Sequence, residues 1–396
     1  MGDKHSESKL ESHDPSPKDG SIRSLKDLIN HTSGREFQEA HTQPYSGLVE
    51  LLPFPFLALV GQVEMKYALL LALINPAIGG VLLIGPRGTG KTTAIRGLVD
   101  LVPEIPRSIC YYGCLPEDIE NGGIDAVCPN CAKKFALGEP LAAMDKIRLV
   151  ELPLNARIED VVGTVDDSSV GHERLRLHRG ILAHADQNLL LVDEVNMLAD
   201  EVVDSILDAA AYGSYTVKRG ATTAIYRSRF VLIGTMNPEE GRLRPQIMDR
   251  FGLRIVVKGL TDTDQRLEAY KRVQTYLVNP HHLIQEYFEE TEIAETEIQL
   301  ARDRLPSVKI PVSVSDLVLE LIHQLKIDSL RAEVTLFEAA RAFAALDGRL
   351  EITKEDLHII APMALRMRRS AYIEKYIVEQ SVEEEEIRKT IENMLS

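Results

Sequence analysis

The octet GPRGTGKT, Gly85 to Thr92, fits the spacing G-x-x-x-x-G-K-[ST]. Glycines let consecutive backbone N–H groups turn inward around an anion, and a lysine beside them supplies a mobile positive charge. That is chemistry for a nucleoside polyphosphate. Lys91 is expected to reach the β- and γ-phosphates of ATP, and the Thr92 hydroxyl to ligate Mg²⁺. Gly85, Pro86, Arg87, Gly88, Thr89, Gly90 and Thr93 complete the expected cradle. The plainer alternative is a glycine turn between a strand and a helix. The flanking runs GGVLLIG and TTAIRGLVDLV supply the strand and helix that phosphate binding requires.

A second apolar run, LLLVDE, ends in Asp193 and Glu194. Ligands of open α/β sheets sit at the carboxyl ends of the strands, so Asp193 is placed to hold Mg²⁺ through water. Glu194 is placed to polarise the water that attacks the γ-phosphate. A third run, VLIGTMNP, sets Asn237 between these groups, where an amide orients the water without adding charge. An Asn before a proline also simply makes turns. GRLRPQIMDRF then carries Arg242, Arg244 and Arg250. A guanidinium suits the spread charge of a transferring phosphoryl group, and a surface ion pair of Arg250 with Asp249 is the bland reading.

All four cysteines fall in CYYGCLPEDIENGGIDAVCPNC: Cys110 and Cys114 spaced C-x₃-C, Cys128 and Cys131 spaced C-x₂-C. Two close pairs on one loop are what a tetrahedral Zn²⁺ site needs. A closed Cys₄ set leaves no open coordination position, so the expected zinc is structural. Redox-active or reduced thiols and unrelated buried cysteines are the alternatives. His172 and His178 read as ordinary polar loop residues.

These residues need a scaffold. The run GGVLLIG holds a short, fully apolar strand of the kind buried on both faces, and IRLVELP, NLLLVDE, RFVLIGTMNP and LRIVVKGL are further short apolar runs. Helical stretches such as DEVVDSILDAAAYG separate them, which predicts a parallel α/β sandwich. An apolar helix, FPFLALVGQVEMKYALLLALINP, precedes it and stops near Asn75-Pro76. Beyond residue 262 the strand signals fade. Residues 263–310 read as a charged helical linker and 311–396 as a smaller all-helical domain, with Gly348 ending one helix and Thr353 capping the next. Residues 1–45 hold few large apolar side chains and read as a disordered tail. The α/β domain thus spans 46–262, with the cysteine loop at 110–131 and a hairpin region at 150–182.

The balance of 45 Lys+Arg against 60 Asp+Glu gives −15, which disfavours nonspecific DNA binding. No apolar run approaches the ~20 residues that span a bilayer, so no membrane insertion is expected. The N-terminus has neither the apolar core of a secretory signal nor the acid-poor composition of a transit peptide, and a cytoplasmic location is expected.

The motifs GPRGTGKT, LLLVDE, GTMNPEEGRLRPQIMDRFG and VELPLNARIEDVVGTVD together resemble the AAA+ ATPase subunit I of magnesium chelatase, from about Phe54 to about Arg369. The resemblance implies an AAA+ fold: a P-loop parallel-sheet sandwich followed by a helical lid. It implies a homo-oligomeric ring, a hexamer, with ATP between neighbouring subunits. Arg250 would be the finger that reaches the next subunit's γ-phosphate, with Arg244 second choice. Arg331 would be the lid arginine that senses nucleotide, and Val60 and Gly61 would border the adenine. The implied partners are an adaptor subunit with an integrin-like domain and a large porphyrin-binding subunit. The implied reaction is ATP-driven insertion of Mg²⁺ into protoporphyrin IX, towards chlorophyll and bacteriochlorophyll. Pro86 stands where an acidic residue is expected. The same ATPase would also serve cobalt chelation or the remodelling of another protein with an integrin-like partner. A DNA-acting motor and an ATP-bound scaffold that hydrolyses little remain as readings from other classes.

Overall fold

In the computed structural model of the chain, residues 52–110, 113–166, 176–219, 222–241 and 243–369 are described. The expected tail over 1–45, Arg242, His172 and the acidic run near the C-terminus lie outside them.

Helix α1 (Val63–Ile74) ends where the sequence predicts: the Asn75 side chain accepts the Ala77 N–H at 3.1 Å, and Pro76 has no N–H to continue the ladder. Strand β1 (Val81–Ile84) leads through the glycine loop into α2 (Lys91–Gly97). Strands β2 (Glu104–Ser108) and β3 (Ala142–Lys146) pair antiparallel. Between them they carry α3 (Pro116–Gly122) and α4 (Pro129–Ala136). Then come β4 (Leu149–Leu152), α5 (Ile158–Val162), the ribbon β5 (Gly163–Asp166) with β6 (Arg176–Arg179), and α6 (Ile181–Ala185). Strand β7 (Leu189–Val192) and α7 (Asp200–Tyr212) precede a second ribbon, β8 (Ser214–Arg219) with β9 (Thr222–Arg227). Strand β10 (Val231–Met236), α8 (Pro245–Arg250) and β11 (Leu253–Val256) complete the α/β part.

The sheet runs β11-β1-β10-β7-β4, with every neighbouring pair parallel. Its five strands are the five apolar runs read from the sequence. Successive residues of β1 face opposite layers: Leu83 packs with α1 and α2, and Leu82 with α7. Both side chains are fully buried, each contributing about 2 kcal/mol of hydrophobic stabilisation.

Helices α9 (Thr263–Val278), α10 (Pro280–Glu286), α11 (Phe288–Arg304), α12 (Val312–Gln324), α13 (Arg331–Leu346) and α14 (Lys354–Leu365) follow. Ile298 and Ala301 of α11 are buried in the same cluster as α1 and the sheet. Gly348 adopts φ +75° after α13, a left-handed position that suits glycine, and Asp356 accepts the Thr353 N–H at the start of α14. The lid and the sheet are tied by buried arginines. Arg254 and Arg368 converge on Asp249, and burial together with Arg368 brings the Arg254 guanidinium down to about 10.

Candidate functional site

Strand β1 ends at Gly85, whose added Cβ would lie 2.2 Å from the Val257 carbonyl oxygen, so only glycine lets the loop leave the sheet here. Gly88 and Gly90 adopt φ +77° and +84°, and a Cβ at either would meet nothing within 4 Å: the cradle is open on its inner side. Lys91 is only 8% exposed. Its Nζ donates to the carbonyls of Gly85 (2.7 Å) and Pro86 (2.8 Å), on the rim of the loop it would share with a phosphate. Burial lowers its pKa, while Asp193, Glu194 and Glu240 oppose that shift.

Lys91, Asp193 and Glu194 line one pocket of about 210 Å³ together with Arg87, Thr92, Thr93, Thr235 and Asn237. The parallel register sets β7 and β10 side by side, so Asp193 and Glu194 leave one strand next to the end of the other. Thr235 joins them: its hydroxyl donates to Asp193 Oδ1 and accepts the Glu194 N–H at 3.0 Å. Sequence reasoning missed Thr235, although it stands two residues before Asn237 on the same strand. Asn237 is 3% exposed, and its Oδ1 accepts the Glu239 N–H at 3.2 Å. The turn-making and pocket-lining readings of this residue therefore both hold. Arg87 spans the mouth, with Nη2 3.1 Å from Glu194 Oε1 and 2.5 Å from Glu240 Oε1.

A second cavity of about 490 Å³ adjoins through Gly88, Thr89, Gly90 and Thr93. Phe54, Leu59, Val60, Met65 and Leu260 make it apolar, which suits a nucleobase. Val60 lines it; Gly61 stands behind at φ +64°, where a Cβ would press within 2.8 Å of Leu260. Arg266, Ala269 and Val273 of α9 close the far wall, so the segment expected as a linker forms part of the site. The open glycine cradle, the basic Lys91 and the oxygen donors of Thr92 and Asp193 fit a nucleoside triphosphate with Mg²⁺.

Arg250 and Arg331 lie elsewhere. They line a cavity of about 370 Å³ with Asp208, Tyr212, Leu330 and Val334, and it shares no residue with the phosphate pocket. Arg250 Nη1 is 2.7 Å from Asp208 Oδ1, and Arg244 Nη2 is 2.7 Å from Asp200 Oδ1, so α7 holds both arginines. The ion pair of Arg250 with Asp249 does not form, because Asp249 is occupied by Arg254, Arg368, Arg331 and the Ser329 hydroxyl.

The four cysteine Sγ atoms lie within 4.8 Å of one another. The Cys114 N–H donates to Cys110 Sγ and the Cys128 N–H to Cys114 Sγ, each at 3.3 Å. Burial raises the Cys110 thiol, but hydrogen bonds from Ser108 and the Cys114 N–H outweigh it and bring the pKa down to about 6. Burial pushes Cys114 up to about 11 and Cys131 higher still. Four convergent sulfurs with donated N–H bonds fit a tetrahedral thiolate metal site. His178 lies on strand β6 rather than in a loop.

Residues 318–390 match the AAA lid domain family. The chain is 41% identical over 339 residues to the magnesium-chelatase subunit ChlI homolog of Methanocaldococcus jannaschii, across 84% of this chain and 91% of that protein. It is 40% identical over 318 residues to the magnesium-chelatase 38 kDa subunit of Acidiphilium rubrum, across 80% and 90%. A solved protein from Cytophaga hutchinsonii, described as a candidate ATPase, has the same fold at 20% identity, with a TM-score of 0.50 over 79% of this chain and 84% of that one.

Proposed function

The chain belongs to the magnesium-chelatase subunit I family of AAA+ ATPases, and from that premise we propose that it is the ATP-hydrolysing ring subunit that drives Mg²⁺ insertion into protoporphyrin IX. The observation that carries this reading is the gathering of Lys91, Thr92, Asp193, Glu194, Thr235 and Asn237 in one pocket beside an apolar base cavity.

The chemistry is phosphoryl transfer to water. Lys91 leaves the Gly85 and Pro86 carbonyls for the β- and γ-phosphate oxygens, which are better acceptors for a buried ammonium. Thr92 and Asp193 would hold Mg²⁺, which would supply charge neutralisation at the phosphates. Thr235 fixes the Asp193 carboxylate and the Glu194 backbone at once, so the metal ligand and the base keep one spacing. The Glu194 carboxylate accepts the proton of the attacking water as its oxygen bonds to the γ-phosphorus and the bond to ADP breaks. Asn237 orients that water. Arg87 must let go of Glu194 for this, and the arriving γ-phosphate gives it a stronger partner.

Arg250 and Arg331 complete the site of a neighbouring subunit. A chain that carries its nucleotide on one face and its arginines on another suits a head-to-tail interface, and a closing rotation makes a ring, here a hexamer. Arg250 then exchanges Asp208 for the neighbour's γ-phosphate. The cysteine quartet would hold a structural Zn²⁺ through its four sulfurs. The partners are an adaptor with an integrin-like domain and a large porphyrin-binding subunit, acting in the cytoplasm on the path to chlorophylls.

Reconstitution with the other two subunits of a characterised magnesium chelatase tests this, reading Mg-protoporphyrin fluorescence and phosphate release together. Both signals are expected, and both should vanish with Lys91→Ala. Phosphate release with Co²⁺ but not Mg²⁺ insertion would move the target to cobalt chelation. Stimulation by DNA alone would sink the chelatase reading.

A further inference from the structure

The cysteine module and the β8–β9 ribbon meet at one side chain. Arg227, the last residue of β9, donates Nη2 to the Gly113 carbonyl at 2.5 Å and Nη1 to Asp118 Oδ1 at 3.0 Å. Its Nε reaches Asp186 Oδ2 at 3.2 Å. Gly113 sits inside the turn that offers Cys110 and Cys114, at φ +74°, and Asp118 is on α3 of the same module. Asp186 follows α6, and its other oxygen accepts the Arg229 N–H at 2.9 Å. Three segments far apart in sequence are therefore pinned by one guanidinium that is only 20% exposed.

Neither side of this junction is self-supporting. The module's buried apolar cluster is Cys114, Val127, Cys131 and Leu141, so half of it is thiol. Such a core cannot fix a loop of this length by burial alone. The β8–β9 ribbon is a two-stranded sheet of its own, outside the five-stranded one; Tyr215 and Val217 of β8 are buried in the cluster that includes α7, which leaves the Arg227 end of β9 to the contacts above. Its root passes through Ser228, whose N–H bonds the Gly213 carbonyl at 2.9 Å, directly into β10 and so to Thr235 and Asn237.

We infer that the cysteine module is a metal-locked anchor for the root of the β8–β9 hairpin, acting through Arg227. The inference rests on the zinc reading given above. A bound Zn²⁺ fixes the Cys110–Cys114 turn, hence the Gly113 carbonyl, hence the guanidinium that terminates β9. Without the metal the carbonyl has no fixed position, and Asp118 and Asp186 share a cation that is no longer oriented.

Hydrogen exchange on the 396-residue chain, with zinc content measured on the same samples, tests this. Wild type should hold one zinc ion per chain and protect amides in 214–227. The Cys128→Ser/Cys131→Ser double variant, and wild type stripped with a zinc chelator, should lose the metal. Exchange in the hairpin should then speed by roughly tenfold or more while 81–84 is unchanged, the scale expected for losing a charged hydrogen bond. Arg227→Ala should keep its zinc yet show the same hairpin loosening. Zinc-free chain with wild-type hairpin protection would overturn the anchor and leave the metal site standing. Wild type that binds no zinc would overturn both. Zinc-loaded Arg227→Ala with an unchanged hairpin would show that the junction runs through some other contact.

Discussion

The phosphate pocket and the Arg250–Arg331 cavity are built from similar side chains and differ in what satisfies them. At the phosphate pocket, cations and carboxylates are brought together by three parallel strand ends, and Lys91 rests on weak carbonyl acceptors. At the other cavity, Arg250 rests on Asp208, and Arg331 lies 3.6 Å from Asp249. Tyr212 and Leu330 beside them are each 79% exposed. The first region has the phosphate cradle, the carboxylates and two cations of its own, Lys91 and Arg87. The second has two further guanidiniums with apolar surface around them and no phosphate cradle. The difference teaches that the cradle and these arginines are kept apart within one chain, each satisfied by its own partners; on the proposed function they are two half-sites.

The most severe way to break this comparison removes one half from each of two populations. Lys91→Ala and Arg250→Ala chains should each be nearly inactive, with Arg250→Ala losing roughly 10³-fold or more in turnover. Mixed, they should recover ATPase activity, because an intact P-loop can then meet an intact Arg250. A mixture no better than the sum of its parts would place both residues in one site. Next in size, Glu194→Gln should lower turnover by roughly 10²- to 10⁴-fold while nucleotide binding, followed by fluorescent ATP analogue titration, is kept. Loss of binding as well would mean that Glu194 holds the cradle rather than the water. The smallest effect is expected from Arg87→Ala in the absence of nucleotide. Its side chain is 71% exposed, so its ion pairs should contribute no more than about 1 kcal/mol to unfolding stability. A larger loss in urea melts would make Arg87 part of the frame.

The strands that position the phosphate pocket were readable because each is buried on both faces and therefore almost wholly apolar, Thr235 in β10 being the exception. The β5–β6 ribbon falls within the expected hairpin region, but the β2–β3 and β8–β9 ribbons were not legible. The β2 and β3 segments EIPRS and AAMDK are mostly half-buried or exposed, so no period-two pattern sets them apart from loop. The β8–β9 ribbon went unread beside the helix before it. Lys91, Asp193, Glu194 and Asn237 could be found because each ends or follows an apolar run. Thr235 could have been found by stepping two residues back along the same strand. The pairing of Arg87 with Glu240, and the clamp of Arg227 on Gly113, Asp118 and Asp186, join segments that only the folded sheet brings close. Nothing local in the sequence announces them.

The separation of the two half-sites also sets a stoichiometry. On the proposed head-to-tail arrangement a single chain would have no finished catalytic centre, and an unclosed arc of n chains would have n − 1, because one P-loop would lack a neighbour's Arg250. Only a closed ring would give as many centres as chains. Turnover per chain should therefore climb with protein concentration and level off where rings close, so that dilution alone acts as an off switch.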